Sequence, residues 1–332
     1  MRVLIDTTYA LRGPSGTATY LAGVIPALRA AGVDVVEAAN DRRRPPGAGS
    51  VRNWLADAAW VGRELPRRAR AAGADVVHHP LPARACAVGA AQVVTVHDLA
   101  FVRLPEAFDR RYAAWARRAH RAAARRSGAV VCPTEATARD VRARWGVPGA
   151  RVVFAPHGPG QLLPTAPRTA APRHFLYVGD DEPRKNVAAL RAAHARYRER
   201  AQRPLPLVIA GAAGEPVPPG RLAELYAGAA AVVHPALHEG FGLTLAEAMR
   251  AGAPVLAGRA PGVVETAGDA ALYADPRDPE DLARALARLA GDADLRAQLS
   301  ARGRQRADRL TWEGSARARI RAYTLAAPAS TA

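Results

Sequence analysis

AVVHPALHEGFGLTLAEAMRAGAPVLAG (231–258) reads as one complete strand–helix–strand unit. AVVHP is a short branched run suited to a strand buried on both faces, and HEGFG is a glycine-flanked turn that feeds a helix over LTLAEAMRAG. APVLAG is a second buried strand. Strands joined through a helix are parallel, so this stretch predicts a doubly wound α/β sheet. The alternation extends outward from it. HFLYVG (174–179) and PLVIAG (206–211) precede it, while RVLID (2–6), DVVEA (34–38), DVVHH (75–79), QVVTVHD (92–98), AVVCP (129–133) and RVVFAP (151–156) form an earlier set. Between the sets lies QLLPTAPRTAAPR (161–173), whose Pro/Ala bias marks a linker. From residue 280 onward only helical periodicity remains. The expected architecture is two Rossmann-like α/β domains, residues 1–165 and 166–305, with a helical tail over 306–332 that packs back on the first domain.

A chain of 332 residues, 49% hydrophobic and 23% charged, has the length for two cores, and its composition argues against disorder. No apolar stretch approaches the ~20 residues that span a bilayer, and MRVLIDTTYA lacks the apolar segment of a secretion signal. Cys86 and Cys132 are far apart and form no metal or disulfide pattern. These features fit a cytoplasmic protein. The net charge of +17 raises the question of nucleic acid, but 46 of the 47 cations are arginine, a bias that codon usage alone can produce. No nucleic-acid-binding motif accompanies the charge, so no nucleic-acid partner is expected.

Open α/β sheets bind ligands beyond the carboxyl ends of their strands, which directs attention to the polar residues there. Glu239 sits in the glycine-flanked turn and Glu247 lies eight positions later, on the helix, leaning back toward its N-terminus. Gly242, Leu243 and Thr244 offer main-chain amides and the positive end of the helix dipole to a phosphate. Arg184 and Lys185 follow the first strand of the second set. In the first half, Gly13, Ser15 and Gly16 lie between a strand and a helix, and His97 and Asp98 close a strand.

Taken in order, these segments resemble the family 4 glycosyltransferases, also called group 1, which are retaining nucleotide-sugar transferases of the GT-B fold. EGFGLTLAEAMRAGAPVLAG, PGVVETAGDAALYADPRDPEDLARAL and TWEGSA are similar to the family's second domain, and YVGDDEPRKN (177–186) to its EPRKN branch, which includes many mannosyltransferases. GPSGTATYL (13–21), TVHDLAF (95–101) and VCPTEATARDV (131–141) resemble segments of the first domain. The resemblance implies two facing domains with the site in the cleft between them. It further implies Arg184 and Lys185 on the donor diphosphate, Glu239 on hydroxyls of the transferred sugar, Glu247 on the ribose, and Gly13, Ser15 and Gly16 in an acceptor-side loop. His97 and Asp98 would lie near the sugar, with Asp98 orienting the imidazole or accepting the acceptor proton. No tightly bound cofactor or metal is implied; Asp180, Asp181 and Glu182 read as loop acids, with metal binding as the alternative. The co-substrate would be a nucleotide sugar, GDP-mannose favoured, with a UDP-sugar as the competitor, and the acceptor a glycan or lipid-linked glycan.

Two departures from the family pattern stand out. Asp180 occupies a position often held by arginine. Between VIAGAAGEPVPPG and RLAELYAGAAAVVHP (221–235) the chain lacks a helix and a strand-plus-glycine segment that contact the nucleotide base. Two alternatives therefore accompany the transferase reading: a nucleotide-sugar epimerase of the same fold, and a catalytically degenerate sugar-nucleotide-binding protein.

Residues 1–165 hold 24 Arg against 12 acids, so the basic surface belongs to the first half. DRRYAAWARRAHRAAARR (109–126) places Tyr112, Trp115, Ala116, Ala119, Ala122 and Ala123 on one stripe, with Arg117, Arg118, Arg121 and Arg125 elsewhere. RELPRRARAAG (63–73) adds a second basic cluster. An anionic membrane surface, the inner face of the plasma membrane, is one expected partner; an ordinary solvated helix is the other reading.

Overall fold

A computed structural model describes residues 1–13, 15–42, 50–86, 88–161, 166–169, 171–211 and 217–327. Residues 162–165 and 170 of the expected linker, and 212–216 of the shortened segment before residue 221, lie outside them. The chain divides into two compact units. Unit 1 is Met1–Val102, Asp109–Gly158 and Trp312–Ala332; unit 2 is Arg103–Phe108 and Pro159–Thr311. The division thus falls at Gly158/Pro159 and at Thr311/Trp312 rather than at the composition shifts near 165 and 305.

In unit 1 the described elements run β1 (Arg2–Asp6), α1 (Gly16–Ala30), β2 (Asp34–Ala38), α2 (Ser50–Ala59), α3 (Leu65–Ala71), β3 (Val76–His79), β4 (Ala91–Thr95), α4 (Ala100–Arg103, whose last residue belongs to unit 2), α5 (Arg110–Arg126), β5 (Ala129–Cys132), α6 (Glu135–Trp145) and β6 (Val152–Phe154). The six strands form one parallel sheet in the order β2-β1-β3-β4-β5-β6. Val3, Leu4 and Ile5, with Val93, Val94 and Ala129–Cys132, are fully buried, as a sheet covered on both faces requires. Local chemistry sets the helix starts. The Ser15, Asp109 and Thr134 side chains accept from Ala18, Tyr112 and Thr137 N–H, and Gly146 ends α6 in the left-handed conformation.

Unit 2 runs β7 (His174–Val178), α7 (Val187–Arg200), β8 (Leu207–Ala210), α8 (Pro219–Gly228), β9 (Ala229–His234), α9 (Leu243–Arg250), β10 (Val255–Ala257), α10 (Pro261–Ala267), β11 (Ala271–Tyr273), α11 (Pro279–Gly291) and α12 (Ala293–Ala307). Its parallel sheet has the order β11-β10-β9-β7-β8. One core cluster centres on Leu245, Met249 and Val263, and a second on Phe175, Leu190, Leu256 and Leu286. Among the described residues β8 is an edge strand, with nothing paired beyond it.

The last helix, α13 (Trp312–Ala326), belongs to unit 1 and buries Trp312, Ser315, Ala316, Arg319, Ala322 and Tyr323. Its fit against α1 depends on a missing side chain: a Cβ at Gly23 would overlap the Trp312 indole, and one at Gly158 would lie 2.6 Å from Trp312 Cγ. Filling the first gap forces the indole to move.

The aromatic stripe expected on α5 is rearranged. Ala113, Ala116, Ala123 and Ala124 face the core, whereas Tyr112 and Trp115 are 45% and 57% exposed and stand next to each other, ring centroids 6.1 Å apart. The buried face centres one residue away from the expected stripe and is made of alanines. Among the described residues, no helix is long and apolar enough to cross a membrane.

Gly23→Ala is expected to lower stability by roughly 1–3 kcal/mol through overpacking against Trp312, read as a reduced urea midpoint with unchanged slope. An unchanged midpoint would show that α13 does not seal against α1.

Candidate functional site

The strand order of unit 2 reverses between β7 and β9, and the crevice beyond their carboxyl ends is where a doubly wound sheet receives a ligand. Both segments that carry the expected donor residues leave the sheet there. After β7 the chain passes through Pro183–Lys185 to Asn186, which has φ 60°, the one positive-φ residue other than glycine among those described. Asparagine tolerates that conformation, and its amide donates to Pro276 O at 2.6 Å and Pro235 O at 3.3 Å. Leu237 N–H in turn donates to Arg184 O at 2.9 Å. The EPRKN segment is therefore tied to the loop that follows β9.

That second loop carries Glu239, whose carboxylate meets three basic groups. Lys185 Nζ is in close contact with Oε2, Arg184 Nη1 lies 3.6 Å from the same oxygen, and His234 Nε2 is also 3.6 Å away. Burial alone would raise the Glu239 pKa, but Lys185, then the neighbouring His234 and Arg184, outweigh it and hold the carboxyl well below the usual range. Burial also lowers the His234 pKa against the pull of Glu239, so the imidazole is neutral. Arg184 Nε donates to Glu182 Oε2 at 2.7 Å, which makes one of the three loop acids a partner of the cation beside it. The backbone under Glu239 is pressed against α10: a Cβ at Gly262 would lie 2.5 Å from Gly240 O.

Gly242 starts α9 with φ 82°, and Leu243 and Thr244 N–H donate to no acceptor among the described residues. Free amides at the positive end of a helix dipole are the kind of groups that receive an anion. His234 Nδ1 lies 3.4 Å from Thr244 Oγ1, so this buried histidine, the last residue of β9, stands between the start of α9 and Glu239. It did not stand out in the sequence; its signal was its place as the final strand residue before the turn.

Glu247 points into the protein. Oε1 accepts from Gln161 N–H at 2.7 Å, Oε2 accepts from the Tyr226 hydroxyl at 2.7 Å, and the residue is 4% exposed. Burial raises its pKa, and the two donors pull it back only in part. The carboxylate expected to hold ribose hydroxyls is thus satisfied by protein donors.

In unit 1, β4 ends at Thr95, and His97 and Asp98 occupy the loop beyond it. His97 Nε2 pairs with Pro80 O at 2.9 Å and Nδ1 with His157 Nε2 at 3.2 Å. The imidazole is oriented by those groups and not by Asp98, whose Oδ1 accepts from Ala100 N–H at 2.8 Å. Ser15 caps α1, with Gly13 (φ 98°) before it and Gly16 at the helix start; Pro14 lies outside the described residues.

The family model described as Glycosyltransferase Family 4 matches residues 14–159, and that described as Glycosyl transferases group 1 matches residues 213–306. The chain belongs to the group 1/family 4 glycosyltransferases. Among this family's curated members, the O-antigen chain mannosyltransferase B of Escherichia coli is 31% identical over 196 residues, covering 52% of this chain and 51% of that protein. The D-inositol 3-phosphate glycosyltransferase of Corynebacterium kroppenstedtii is 39% identical over 104 residues, 31% of this chain and 23% of that protein. The matched regions therefore span about half or less of the length of these relatives. Sucrose-phosphate synthase from Thermosynechococcus elongatus superposes with a TM-score of 0.76 at 19% identity, covering 97% of this chain and 98% of the other. Anabaena HepE in complex with UDP and glucose superposes at 0.71 and 16%, covering 97% and 98%. These likenesses establish the fold, GT-B.

Lys185→Met leaves Glu239 without its nearest cation. Glu239 has a depressed folded-state pKa, so its ion pairing stabilises the fold above the unfolded carboxylate value and is lost as pH falls through the folded value. The variant is expected to cost about 3–5 kcal/mol at pH 7 and clearly less near pH 3, measured by urea unfolding at both. An equal loss at both pH values would contradict the pairing.

Proposed function

We propose that the chain is a retaining glycosyltransferase that moves a hexosyl unit, mannosyl favoured, from a nucleoside diphosphate sugar to a hydroxyl of a glycan or glycolipid. The observation that carries this reading is the Glu239 cluster beside the free amides of Leu243 and Thr244. It is a buried carboxylate for sugar hydroxyls set against cations and N–H donors for a departing diphosphate. The name of the Escherichia coli mannosyltransferase supports mannose and the EPRKN segment points the same way; the UDP-bound neighbour keeps a UDP-sugar as the competitor.

In this reading the donor diphosphate lies on the α9 amides, and Lys185 and Arg184 turn from Glu239 and Glu182 to its oxygens. Glu239, relieved of Lys185, accepts hydrogen bonds from the sugar. The bond from the anomeric carbon to the phosphate oxygen breaks, a bond from that carbon to the acceptor oxygen forms, and the acceptor proton leaves with the diphosphate. Stabilising the charge that grows on the leaving group is the main catalytic task. Glu247 contributes to ribose binding only where Gln161 N–H releases it. Asp98 Oδ2, without a hydrogen bond among the described residues, is the candidate group toward the acceptor hydroxyl, and Gly13, Ser15 and Gly16 belong to the acceptor side. The Glu247 carboxylate, engaged by two protein donors, and the edge position of β8 among the described residues favour one second reading, a nucleotide-sugar-binding protein without turnover.

The exposed Tyr112–Trp115 pair, flanked by the arginines of α5, supports docking on an anionic membrane, where aromatic rings enter the headgroup region and guanidinium groups face the lipid charge.

Acceptor-dependent release of nucleoside diphosphate tests the reaction. Glu239→Ala is expected to lower kcat by roughly 10²-fold with the fold retained, and Lys185→Ala to raise the donor KM. Release without an acceptor, or unchanged rates in both variants, would remove the assignment. In a second assay, co-sedimentation with anionic phosphatidylglycerol vesicles is expected to fall when Tyr112 and Trp115 are both replaced by Ala. Equal sedimentation of wild type and variant would exclude α5 as the docking helix.

A further inference from the structure

Arg319 on α13 is 0% exposed and has no carboxylate partner among the described residues. Burying a cation without an anion is costly, and such a residue persists where its hydrogen bonds do something a neutral side chain cannot. Its guanidinium donates from Nε to the Tyr20 hydroxyl at 3.1 Å, from Nη1 to Ser315 O at 3.1 Å and Oγ at 2.5 Å, and from Nη2 to His157 Nδ1 at 3.3 Å.

Arginine has donors only, and this fixes the direction of every bond that follows. His157 Nδ1 has to accept, so the His157 proton resides on Nε2. That proton is donated to His97 Nδ1 at 3.2 Å, so the His97 proton resides on its own Nε2 and is donated to Pro80 O at 2.9 Å. The line Arg319 to His157 to His97 to the Pro80 carbonyl has one consistent assignment, and both rings in it are neutral. Protonating His157 would set an N–H against the guanidinium, and protonating His97 would set an N–H against that of His157. The Tyr20 ring, 5.1 Å edge-on from His97 and 5.0 Å from His157, and the Trp312 indole, 6.0 Å from His157, pack around the pair. Among the described residues, other charged or titratable groups near it include His78 on β3, which pairs with the Tyr323 hydroxyl at 2.7 Å and Thr95 Oγ1 at 2.9 Å, its neighbour His79, and Asp98, the residue next to His97.

We infer that Arg319 is a positioning residue: through His157 it fixes His97 as a neutral Nε2–H tautomer, so that no positive charge develops beside Asp98. This rests on the glycosyltransferase reading of unit 1. A cationic imidazole next to Asp98 would compete with an acceptor hydroxyl for the carboxylate and weaken its hold on that hydroxyl. Burial and then the Arg319 charge, followed by His97, press the His157 pKa well below its ordinary value, in accord with the geometry. The inference gives the last helix a role in the chemistry of the first unit beyond closing its core.

The wild-type chain can be observed directly. Two-bond ¹H–¹⁵N spectra of the histidine rings, assigned with His97→Asn and His157→Asn, are expected to show both rings as neutral Nε2–H tautomers from pH 8 to pH 5. In Arg319→Met, His157 loses that restriction: its tautomers mix or it titrates within this range. Its kcat is expected to fall roughly tenfold or more at unchanged donor KM, because unit 2 holds the donor. Arg319→Lys, which restores a charged donor, is expected to recover the tautomers and part of the rate. An Nδ1–H or charged form at either ring in the wild type would overturn the inference. So would a loss of kcat in Arg319→Met that only follows the folded fraction while the tautomers stay unchanged. Absence of transfer by the wild-type chain would overturn the glycosyltransferase reading and the catalytic consequence, while the spectra still decide the relay.

Discussion

A buried carboxylate has to be paired, and in unit 2 the demand of Glu239 for cations organises the ligand end of the sheet. Lys185 and Arg184 come from the loop after β7, and His234 and Glu239 from the end of β9 and its loop. The contact therefore draws together the two segments that flank the point where strand order reverses. The supporting geometry serves the same end. Asn186 ties the cationic loop to Pro235 and Pro276, and Gly262 lets α10 press under the Glu239–Gly240 backbone. Without a donor the cluster is closed on itself. On the proposed reading a diphosphate offers Lys185 and Arg184 a competing anion, and donor binding exchanges partners rather than filling an empty positive hole.

Unit 1 presents the same problem with the sign reversed. Arg319 is a buried cation, and its charge is spread over hydroxyls, a carbonyl and an imidazole with no acid among them. Its cost is offset by order: an arginine that can only donate dictates which nitrogen of each following ring carries a proton. In each unit such a charge acts by fixing the groups around it.

Much of the fold was legible because parallel strands covered on both faces are written as unbroken Val/Ile runs. RVLID and DVVEA coincide with β1 and β2, and the β-α-β unit over 231–258 appears as β9, α9 and β10. β11 was not read as a strand, since three residues flanked by alanine carry no period. The divisions between the units escaped composition because they are set by packing: Trp312 fills the spaces left by Gly23 and Gly158, which places the whole of α13 in unit 1. On α5 the helical period was right and the phase was wrong by one residue, because alanine and tyrosine count alike as apolar but the buried face is made of alanines. In the site, Glu239, Arg184 and Lys185 could be singled out through their glycine-rich or strand-end setting. The partners of Glu247 could not be, because Gln161 and Tyr226 lie 86 and 21 residues away and the contact depends on the fold. Arg319 was hidden for a related reason, one arginine among 46 in a chain where arginine is the default cation.

The central claim is the proposal that Lys185, released from Glu239, holds a nucleoside diphosphate. Calorimetric titration of the wild-type chain and of Lys185→Met with GDP and UDP, at matched ionic strength and with Arg203→Met as a surface control, tests it most directly. The account predicts binding of one nucleoside diphosphate to the wild type and to the control, and a loss of at least roughly tenfold in affinity for Lys185→Met, the scale of one charge-assisted contact. Equal affinity of wild type and Lys185→Met, or no binding of either nucleotide to the folded wild-type chain, would contradict it.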